Sequence, residues 1–272
     1  MTNPDSDRVF AGSIPRIYEA YLVPMIFEPY ARDLTQRLRT IPTTRVLEIA
    51  AGTGVVTRSL AEALAPDVSI VASDLNPAML DHANTIGTTR PVQWQQADAM
   101  ALPFADASFD TVVCQFGVMF FPDRSRGYAE VLRVLAPGGT FLFNAWDRLE
   151  DNDFAACVIA AAESVFPADP PRFLARVPHG YCDTARIRDD LAAGGFANRA
   201  DIESVELRSV AKSPRSPALG FCHGTPLRSE IEARDASRLG DVVDAATDII
   251  ARRFGAEAVD GRMRANVVTL RK

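Results

Sequence analysis

The chain has 272 residues, of which 47% are hydrophobic and 24% are charged, and this balance suits a globular protein with one sizeable core. Its net charge of −6 argues against nucleic-acid binding, because a protein that neutralises phosphates needs a basic patch. No stretch approaches the roughly 18 apolar residues of a membrane span, and the N-terminus has no signal-peptide pattern, so we expect a cytoplasmic protein that does not bind membranes.

The first predicted elements are helices within residues 1–40, which are rich in aromatic and apolar side chains. From residue 45, short apolar runs alternate with amphipathic stretches. Strands are predicted at 45–50, 68–73, 92–96, 109–114 and 140–146, and helices at 53–65, 76–86 and 128–135. Asn76 and Pro77 fit an N-cap and a first-turn proline. Strands separated by helices indicate a parallel sheet covered on both faces, which is an α/β fold.

Three regions lie outside this alternation: residues 1–40, residues 148–183 and residues 211–256. The second is predicted to be an alanine-rich helix and then a proline-interrupted loop. The third is predicted to be a loop with three prolines, followed by a helix. That helix is indicated by apolar residues at three- and four-residue spacing, namely Leu239, Val242, Val243, Ala246, Ile249, Ile250 and Phe254. Outside these three regions, a further helix is predicted at 184–193, and two further strands of the sheet are predicted at 200–210 and 262–270.

A glycine-rich turn follows the first predicted strand and contains Glu48, Gly52 and Gly54. Glycine lets the backbone pass close to a ligand, because it has no Cβ and adopts positive φ at little cost. Asp74 ends the second strand, where a carboxylate can accept hydrogen bonds from both hydroxyls of a ribose. The turn and the acid share one edge of a parallel sheet, so the sequence predicts a site for a nucleoside-bearing cofactor.

The cofactor predicted by this turn is not a dinucleotide. A dinucleotide site has a third glycine beside the pyrophosphate, but Thr57 stands at that position. Glu48 would also place a negative charge close to the phosphates. A sulfonium cofactor with an ammonium group and no phosphate is more compatible with this acid.

Four successive motifs resemble those of class I S-adenosylmethionine-dependent methyltransferases of the UbiE-like type. They are VLEIAAGTGVVT, SDLNPAML, QQADAMALPFADASFD and RVLAPGG, in this order along the chain, and the resemblance covers roughly residues 45–146. The resemblance implies S-adenosylmethionine as the cofactor and a Rossmann-like, doubly wound, mostly parallel sheet of seven strands with an antiparallel last strand. Because no linker divides the chain, we expect one domain over 1–272, with a helical lid (1–40), a cofactor-binding core (41–147), substrate-side insertions (148–183 and 211–256) and the remaining sheet (184–210 and 257–272).

The same resemblance assigns roles to individual residues. Those implied to bind the cofactor are Glu48, Ala50, Gly52 and Gly54 at the methionine part, Asp74 at the ribose, Leu75 and Met79 at the adenine edge or ribose, Asp98 and Ala99 at the adenine amino group, Gln115 and Phe116 beside the methyl group, and Tyr21. Ala50 departs from the family, which usually has glycine there. Simpler roles stay open: Asp74 as a helix-capping acid, Asp98 as a turn acid, and Gln115 and Phe116 as packing residues.

Candidate catalytic groups are few, because displacement of a neutral leaving group mainly requires alignment and exclusion of water. We find no triad, and Cys114-Gln115-Phe116-Gly117 replaces the signature of amino-methylating enzymes. His179 and His223 lie in irregular segments and are candidates for a general base, with structural loop histidines as the alternative. The chain has four cysteines that share no metal-ligand spacing, so we expect no metal.

The resemblance implies that the aromatic N-terminus forms a lid over the cofactor. By their spacing, Tyr18 and Tyr21 would share one helix face and Phe27 and Tyr30 another. Core packing is the alternative. Candidate substrate contacts are Tyr18, Met119, Trp146 and Tyr181. An enclosed, apolar pocket favours a small organic acceptor, such as a quinone-like, phenolic, polyketide or lipid-like molecule.

The predicted function is therefore methyl transfer to a small molecule by a monomer or homodimer, with the methylated atom left open. Two alternatives share the fold: an enzyme that uses S-adenosylmethionine for other chemistry, and a non-catalytic cofactor-binding protein. A nicotinamide oxidoreductase is disfavoured by the missing third glycine.

Overall fold

A computed structural model describes residues 6–272 of the chain. They form two compact units, each built from three separate segments. The insertion unit contains residues 6–29, Asp147–Gly180 and Glu206–Arg264, which correspond closely to the three regions outside the predicted alternation. The sheet unit contains Tyr30–Trp146, Tyr181–Val205 and Ala265–Lys272. A single domain over 1–272 stays a prediction.

The seven strands follow the predicted order along the chain. The strands are β1 Arg45–Ile49, β2 Ser69–Asp74, β3 Gln93–Gln96, β4 Phe109–Gln115, β5 Leu135–Trp146, β6 Asp201–Ala211 and β7 Val259–Arg271. The α-helices are α1 Ile14–Ile17, α2 Glu28–Leu38, α3 Val55–Ala63, α4 Pro77–Ile86, α5 Arg124–Val134, α6 Asp153–Val165, α7 Phe173–Arg176, α8 Thr184–Ala193, α9 Arg215–His223, α10 Leu227–Asp235 and α11 Leu239–Phe254. Within residues 6–272, no helix is both long enough and apolar enough to cross a membrane.

One seven-stranded sheet has the order β3-β2-β1-β4-β5-β7-β6. The strands from β3 to β5 pair in parallel, and β7 pairs with β5 in the antiparallel direction. This arrangement confirms the predicted Rossmann-like sheet with an antiparallel last strand. The strand order reverses between β1 and β4, and ligands of such sheets bind at the carboxyl ends of the strands beside that reversal.

The core of the sheet unit contains one face of α2 as well as the expected α/β residues. The buried cluster consists of Ala31, Leu34, Leu38, Val46, Val56, Leu60, Ala61, Val68, Ile70, Val113, Leu142 and Val267. Part of the segment expected to be a lid is therefore core, because Leu34 and Leu38 lie one helical turn apart and are fully buried.

The boundaries around α5 differ from the prediction. The helix begins at Arg124 rather than at residue 128, because the Asp123 side chain caps it by accepting a hydrogen bond from the Arg126 N–H at 3.0 Å. The helix ends before Pro137, as expected. The strand that follows includes Gly138 and Gly139, and the Lys272 N–H donates to the Gly139 carbonyl at 2.9 Å.

Two helices, α9 and α10, occupy the segment that was predicted to be a proline-containing loop. Pro214 and Pro226 directly precede these helices, with φ near −57° and −58°. Proline is compatible with a helix start, since the first N–H groups of a helix have no internal partner. The following helix, α11, has the predicted buried face, although Ile249 and Phe254 are only partly buried.

The aromatic residues near the N-terminus lie on a π-helix, Tyr18–Phe27, rather than on an α-helix. The Glu28 N–H donates to the Val23 carbonyl five residues earlier, which is the π-helical pattern. The predicted pairing of Tyr18 with Tyr21 assumed α-helical spacing and is wrong, whereas the pairing of Phe27 with Tyr30, which spans the start of α2, stays a prediction. In the wider helix the rings of Tyr18 and Phe27 stack, with centroids 4.7 Å apart.

Two glycines let α9 approach the π-helix closely within the insertion unit. A Cβ built on Gly220 would lie 2.9 Å from Leu22 Cδ2. A Cβ on Gly224 would lie 2.5 Å from the Gly220 carbonyl oxygen and 3.2 Å from the Tyr18 nitrogen. Because backbone atoms cannot move aside as a side chain can, Gly224 leaves no room for a larger residue.

We expect Gly224→Ala to lower the free energy of unfolding by roughly 1–3 kcal/mol, because the added methyl overpacks this contact. The control is Gly240→Ala in α11, where a Cβ would meet nothing within 4 Å. That variant should be neutral or more stable by up to about 1 kcal/mol. Urea denaturation measures both, and equal stability of the two variants would contradict the packing.

Candidate functional site

The turn between β1 and α3 is left-handed at three positions. The φ angles of Ala50, Gly52 and Gly54 are 53°, 58° and 82°. Gly54 also allows close packing, because a Cβ there would lie 2.8 Å from Trp94 Cη2. The predicted glycine turn thus has the backbone conformation that glycine favours.

Ala50 adopts this conformation despite its Cβ, at a cost of roughly 1–2 kcal/mol. Its methyl group fits because the facing residue, Gly117, has none. A Cβ on Gly117 would lie 2.5 Å from the Ala50 Cβ and 2.7 Å from the Cys114 sulfur. The departure from the family's usual glycine is therefore accommodated by the loop after β4, a pairing that the sequence analysis missed.

Asp74, at the end of β2, ties this turn to the next one. Its Oδ2 accepts the Gly52 N–H at 2.8 Å, and its Oδ1 accepts the Asn76 N–H at 2.8 Å. Asn76 occupies the N-cap position and Pro77 begins α4, as predicted, although the Asn76 side chain makes no capping hydrogen bond. Burial raises the pKa of the Asp74 carboxyl above its ordinary value, although these hydrogen bonds oppose the shift.

Glu48 is buried near the end of β1, with 2% of its surface exposed. Burial raises the pKa of its carboxyl to about 8, and the hydrogen bond from Thr57 opposes this shift. The Thr57 hydroxyl donates to Glu48 Oε2 at 2.5 Å. Thr57 is the residue found in place of a third glycine, and its role here is to support the acid.

Thr53 lies between the two glycines of the turn. Its hydroxyl is buried and has no hydrogen-bond partner among the described residues. An unpartnered buried hydroxyl is costly unless a ligand or water completes it. This observation fits a ligand with a polar tail at the turn, such as an amino-acid group.

The residues predicted at the adenine lie beyond β2 and β3. Leu75 is one of the few large apolar side chains exposed in the described residues, at 36%, whereas Met79 is buried. The Asp98 carboxylate accepts the Met100 N–H at 2.9 Å, as a turn acid does. Ala99 is partly buried. Asp98 thus supports its own turn, and Leu75 offers apolar surface at the strand end.

An aromatic cluster is formed by Tyr30 of α2, Phe116 directly after β4 and Trp146 at the end of β5. The Phe116 and Trp146 rings stack with centroids 3.7 Å apart and planes inclined by 4°. The edge-on Tyr30 ring lies 5.2 Å from Phe116 and 5.5 Å from Trp146. The Phe116 backbone is left-handed, with φ of 50°, and its N–H donates to Asn144 Oδ1 at 2.9 Å. No motif or spacing in the sequence pointed to Asn144.

Two predicted substrate contacts are packed inside the sheet unit. Tyr181 is fully buried, its hydroxyl lies 3.2 Å from that of Tyr128, and the Arg124 guanidinium lies 4.2 Å from its ring centroid. Met119 is buried, and its carbonyl accepts a hydrogen bond from Arg124 at 3.1 Å. Their contact with substrate stays a prediction.

Both candidate histidines belong to the insertion unit. His179 is buried and its Nδ1 lies 2.8 Å from the Asp147 carbonyl oxygen, which requires a proton on that nitrogen. Burial lowers the pKa of His179 to about 4, so the ring is neutral at physiological pH. Burial and the Arg228 charge lower the pKa of His223 as well. Tyr18 and Tyr21 lie in the same unit, whereas Glu48 to Phe116 lie in the sheet unit.

Comparison with known proteins gives this geometry a family context. Residues 47–143 match the family model described as "Methyltransferase domain". The chain is 46% identical over 97 residues to a demethylmenaquinone methyltransferase of Deinococcus radiodurans. That alignment covers 35% of this chain and 40% of the relative, so the chain spans about two fifths of that protein.

A longer match is to the ubiquinone/menaquinone biosynthesis C-methyltransferase UbiE of Teredinibacter turnerae. It is 31% identical over 169 residues, which cover 57% of this chain and 68% of that protein. Among solved structures, the YcgJ protein of Bacillus has the same fold, with a TM-score of 0.56, 18% identity and coverage of 90% of this chain and 98% of that one. The chain therefore belongs to the UbiE-like family of class I S-adenosylmethionine-dependent methyltransferases.

Proposed function

We propose that the chain transfers a methyl group from S-adenosylmethionine to a small organic molecule by in-line displacement. The observation that carries this proposal is the pairing of the buried Asp74 carboxylate with the Gly52 N–H of a left-handed glycine turn, an arrangement that suits the binding of a ribose. Membership of the methyltransferase family supports the same function.

Different residues of the sheet unit would bind different parts of the cofactor. Asp74 would accept the ribose hydroxyls, because its Oδ2 has a second lone pair beyond the Gly52 hydrogen bond and the long contact of Oδ1 with the Asn76 side chain, at 3.4 Å, can be exchanged for a ligand hydroxyl. Glu48 would pair with the ammonium group of the methionine part, and the Thr53 hydroxyl would bind its carboxylate. When bound, the cofactor supplies an electrophilic methyl group on a sulfonium.

The adenine would lie between Leu75 and the loop after β3. The exposed Leu75 side chain offers it apolar contact, and Asp98 with the backbone of Ala99 would bind its amino group. Gln115 and Phe116 would flank the methyl group. An aromatic wall beside that group excludes water, and no charged partner is needed because the leaving group is neutral.

For the acceptor, we propose a flat, quinone-like or phenolic ring. The relatives named above are quinone-biosynthesis methyltransferases by name, and the aromatic cluster beside Gln115 suits a planar molecule. A general base matters only if the acceptor arrives protonated, and neutral His179 or His223 would then take the proton. Cytoplasmic location, monomer or homodimer assembly and the absence of nucleic-acid partners stay predictions.

Product mass tests this function directly. The protein is incubated with S-adenosylmethionine and a reduced demethylmenaquinone, a catechol or a fatty acid, and a product heavier by one methylene unit is expected for a ring acceptor. Binding without turnover would favour a non-catalytic protein, and turnover without this mass gain would favour other chemistry. Absence of any calorimetric heat with S-adenosylhomocysteine would overturn the proposal.

We expect Asp74→Asn to weaken the binding of S-adenosylhomocysteine by about 10- to 100-fold, because charge-assisted hydrogen bonds contribute roughly 1.5–3 kcal/mol. Isothermal titration calorimetry measures the change. The matched control is Asp110→Asn at the opposite end of the sheet, where the carboxylate accepts the Thr44 and Arg45 N–H groups at 2.9 Å. The control should bind normally, and equal affinities of the two variants would refute the role of Asp74.

We expect cofactor binding to release a proton near neutral pH. The pKa of Glu48 is raised to about 8, so the carboxyl is mostly protonated at pH 7, whereas pairing with an ammonium group requires the carboxylate. Affinity for S-adenosylhomocysteine should therefore rise from about pH 6 to about pH 8 as Glu48 ionises. Calorimetry in buffers of different ionisation enthalpy counts the protons. Release that persists in Glu48→Gln would assign the proton to another group.

A further inference from the structure

Asn144 is a fully buried amide in β5, directly opposite Gln115 of β4 in the sheet register. Its Oδ1 accepts the Phe116 N–H at 2.9 Å. Because alternate residues of a strand face the same side, Asn144 and Trp146 project from one face of the sheet. One strand thus contributes both the acceptor that holds the Phe116 backbone and the ring on which Phe116 stacks.

The Phe116 backbone needs this support, since a bulky residue rarely adopts a φ of 50° unless its surroundings impose it. The N–H of such a buried residue must also find a partner. Asn144 Oδ1 supplies it. Without this bond, Phe116 would relax toward negative φ, and its ring would leave the stack with Trp146.

The amide nitrogen of Asn144 indicates why an asparagine occupies this position in β5. Its Nδ2 is buried and has no hydrogen-bond partner among the described residues. A leucine of similar volume would avoid the cost of this unpartnered donor. The amide is therefore unfavourable for the core as such, and its favourable interaction is the one with Phe116.

We infer that Asn144 is a positioning residue for methyl transfer, which acts by holding the Phe116 turn. This inference rests on the proposed function, in which Phe116 flanks the methyl group. The same turn continues into Gly117, whose backbone packs against the Ala50 methyl of the cofactor turn. Asn144 thereby fixes the position of the Phe116 turn relative to the turn between β1 and α3. It would do so without contacting the cofactor or the acceptor.

The structural part of the inference is tested by the fluorescence of Trp146. The chain has two tryptophans, so Trp94→Phe leaves Trp146 as the only one. In that background, we expect Asn144→Leu to raise the acrylamide quenching constant of Trp146 at least about twofold, because the ring loses its stacking partner. Asn144→Asp, which keeps an acceptor oxygen, should resemble the parent. Should the leucine variant fail to fold, Asn144→Ala removes the same acceptor with less volume.

The matched control is Thr111→Val in β4, which removes another fully buried polar group without a partner among the described residues. It should leave Trp146 quenching unchanged. Unfolding midpoints accompany every measurement. Unchanged quenching in the Asn144→Leu variant, or a rise that appears only with a matching loss of stability, would overturn the inference.

The functional part uses the native tryptophans and the ring acceptor that gives the mass gain described above. We expect Asn144→Leu to lower kcat about tenfold with little change in KM for S-adenosylmethionine, because alignment is lost and not cofactor binding. Asn144→Asp should recover most of kcat. A parent protein that methylates no acceptor would refute the proposed function alone, while the fluorescence result would still decide whether Asn144 holds Phe116.

Discussion

The hydrogen bond from the Gly52 N–H to the Asp74 carboxylate is the interaction on which the site depends. It joins the turn after β1 to the end of β2, two neighbouring parallel strands whose carboxyl ends meet at one edge. A buried carboxylate is costly unless hydrogen-bonded, and Asp74 receives backbone N–H groups from both sides. The position of the Asp74 charge, the conformation of the turn after β1 and the pairing of β1 with β2 therefore depend on one another.

Backbone strain in the site is concentrated in the loops after β1 and after β4. The two loops face each other, and each helps to accommodate the strained backbone of the other. Ala50 and Phe116 both adopt left-handed backbone conformations that side chains disfavour. Gly117 leaves space for the Ala50 methyl, and Asn144 binds the Phe116 N–H. Because these residues come from β1, β4 and β5, the strained loops persist only when the sheet is assembled.

The two units of the chain differ in whether the family model matches them. The methyltransferase family model matches residues 47–143, which lie entirely in the sheet unit. The insertion unit, with its π-helix and both candidate histidines, lies outside that match. Family membership therefore identifies the cofactor, whereas the methyl acceptor must be inferred from the chemistry of the side chains at the site.

Much of this architecture could be predicted from local patterns. The glycine turn, the spacing to Asp74 and the buried face of α11 each lie within a short stretch of sequence. Hydrophobic periodicity and turn residues report such features directly. Other local patterns were ambiguous: prolines that precede α9 and α10 resembled a loop, and the π-helix was indistinguishable from an α-helix by composition.

The amino-acid sequence by itself determined the order of the strands, the glycine turn after β1 and the acid that faces it. Only the tertiary structure decided that Gly117 fits Ala50, that Asn144 holds Phe116, and that the Tyr30 hydroxyl donates to the Val205 carbonyl 175 residues away. The reason is physical. A periodic pattern records which side of an element is buried, whereas the partner of a buried group is chosen by packing between segments that are distant along the chain.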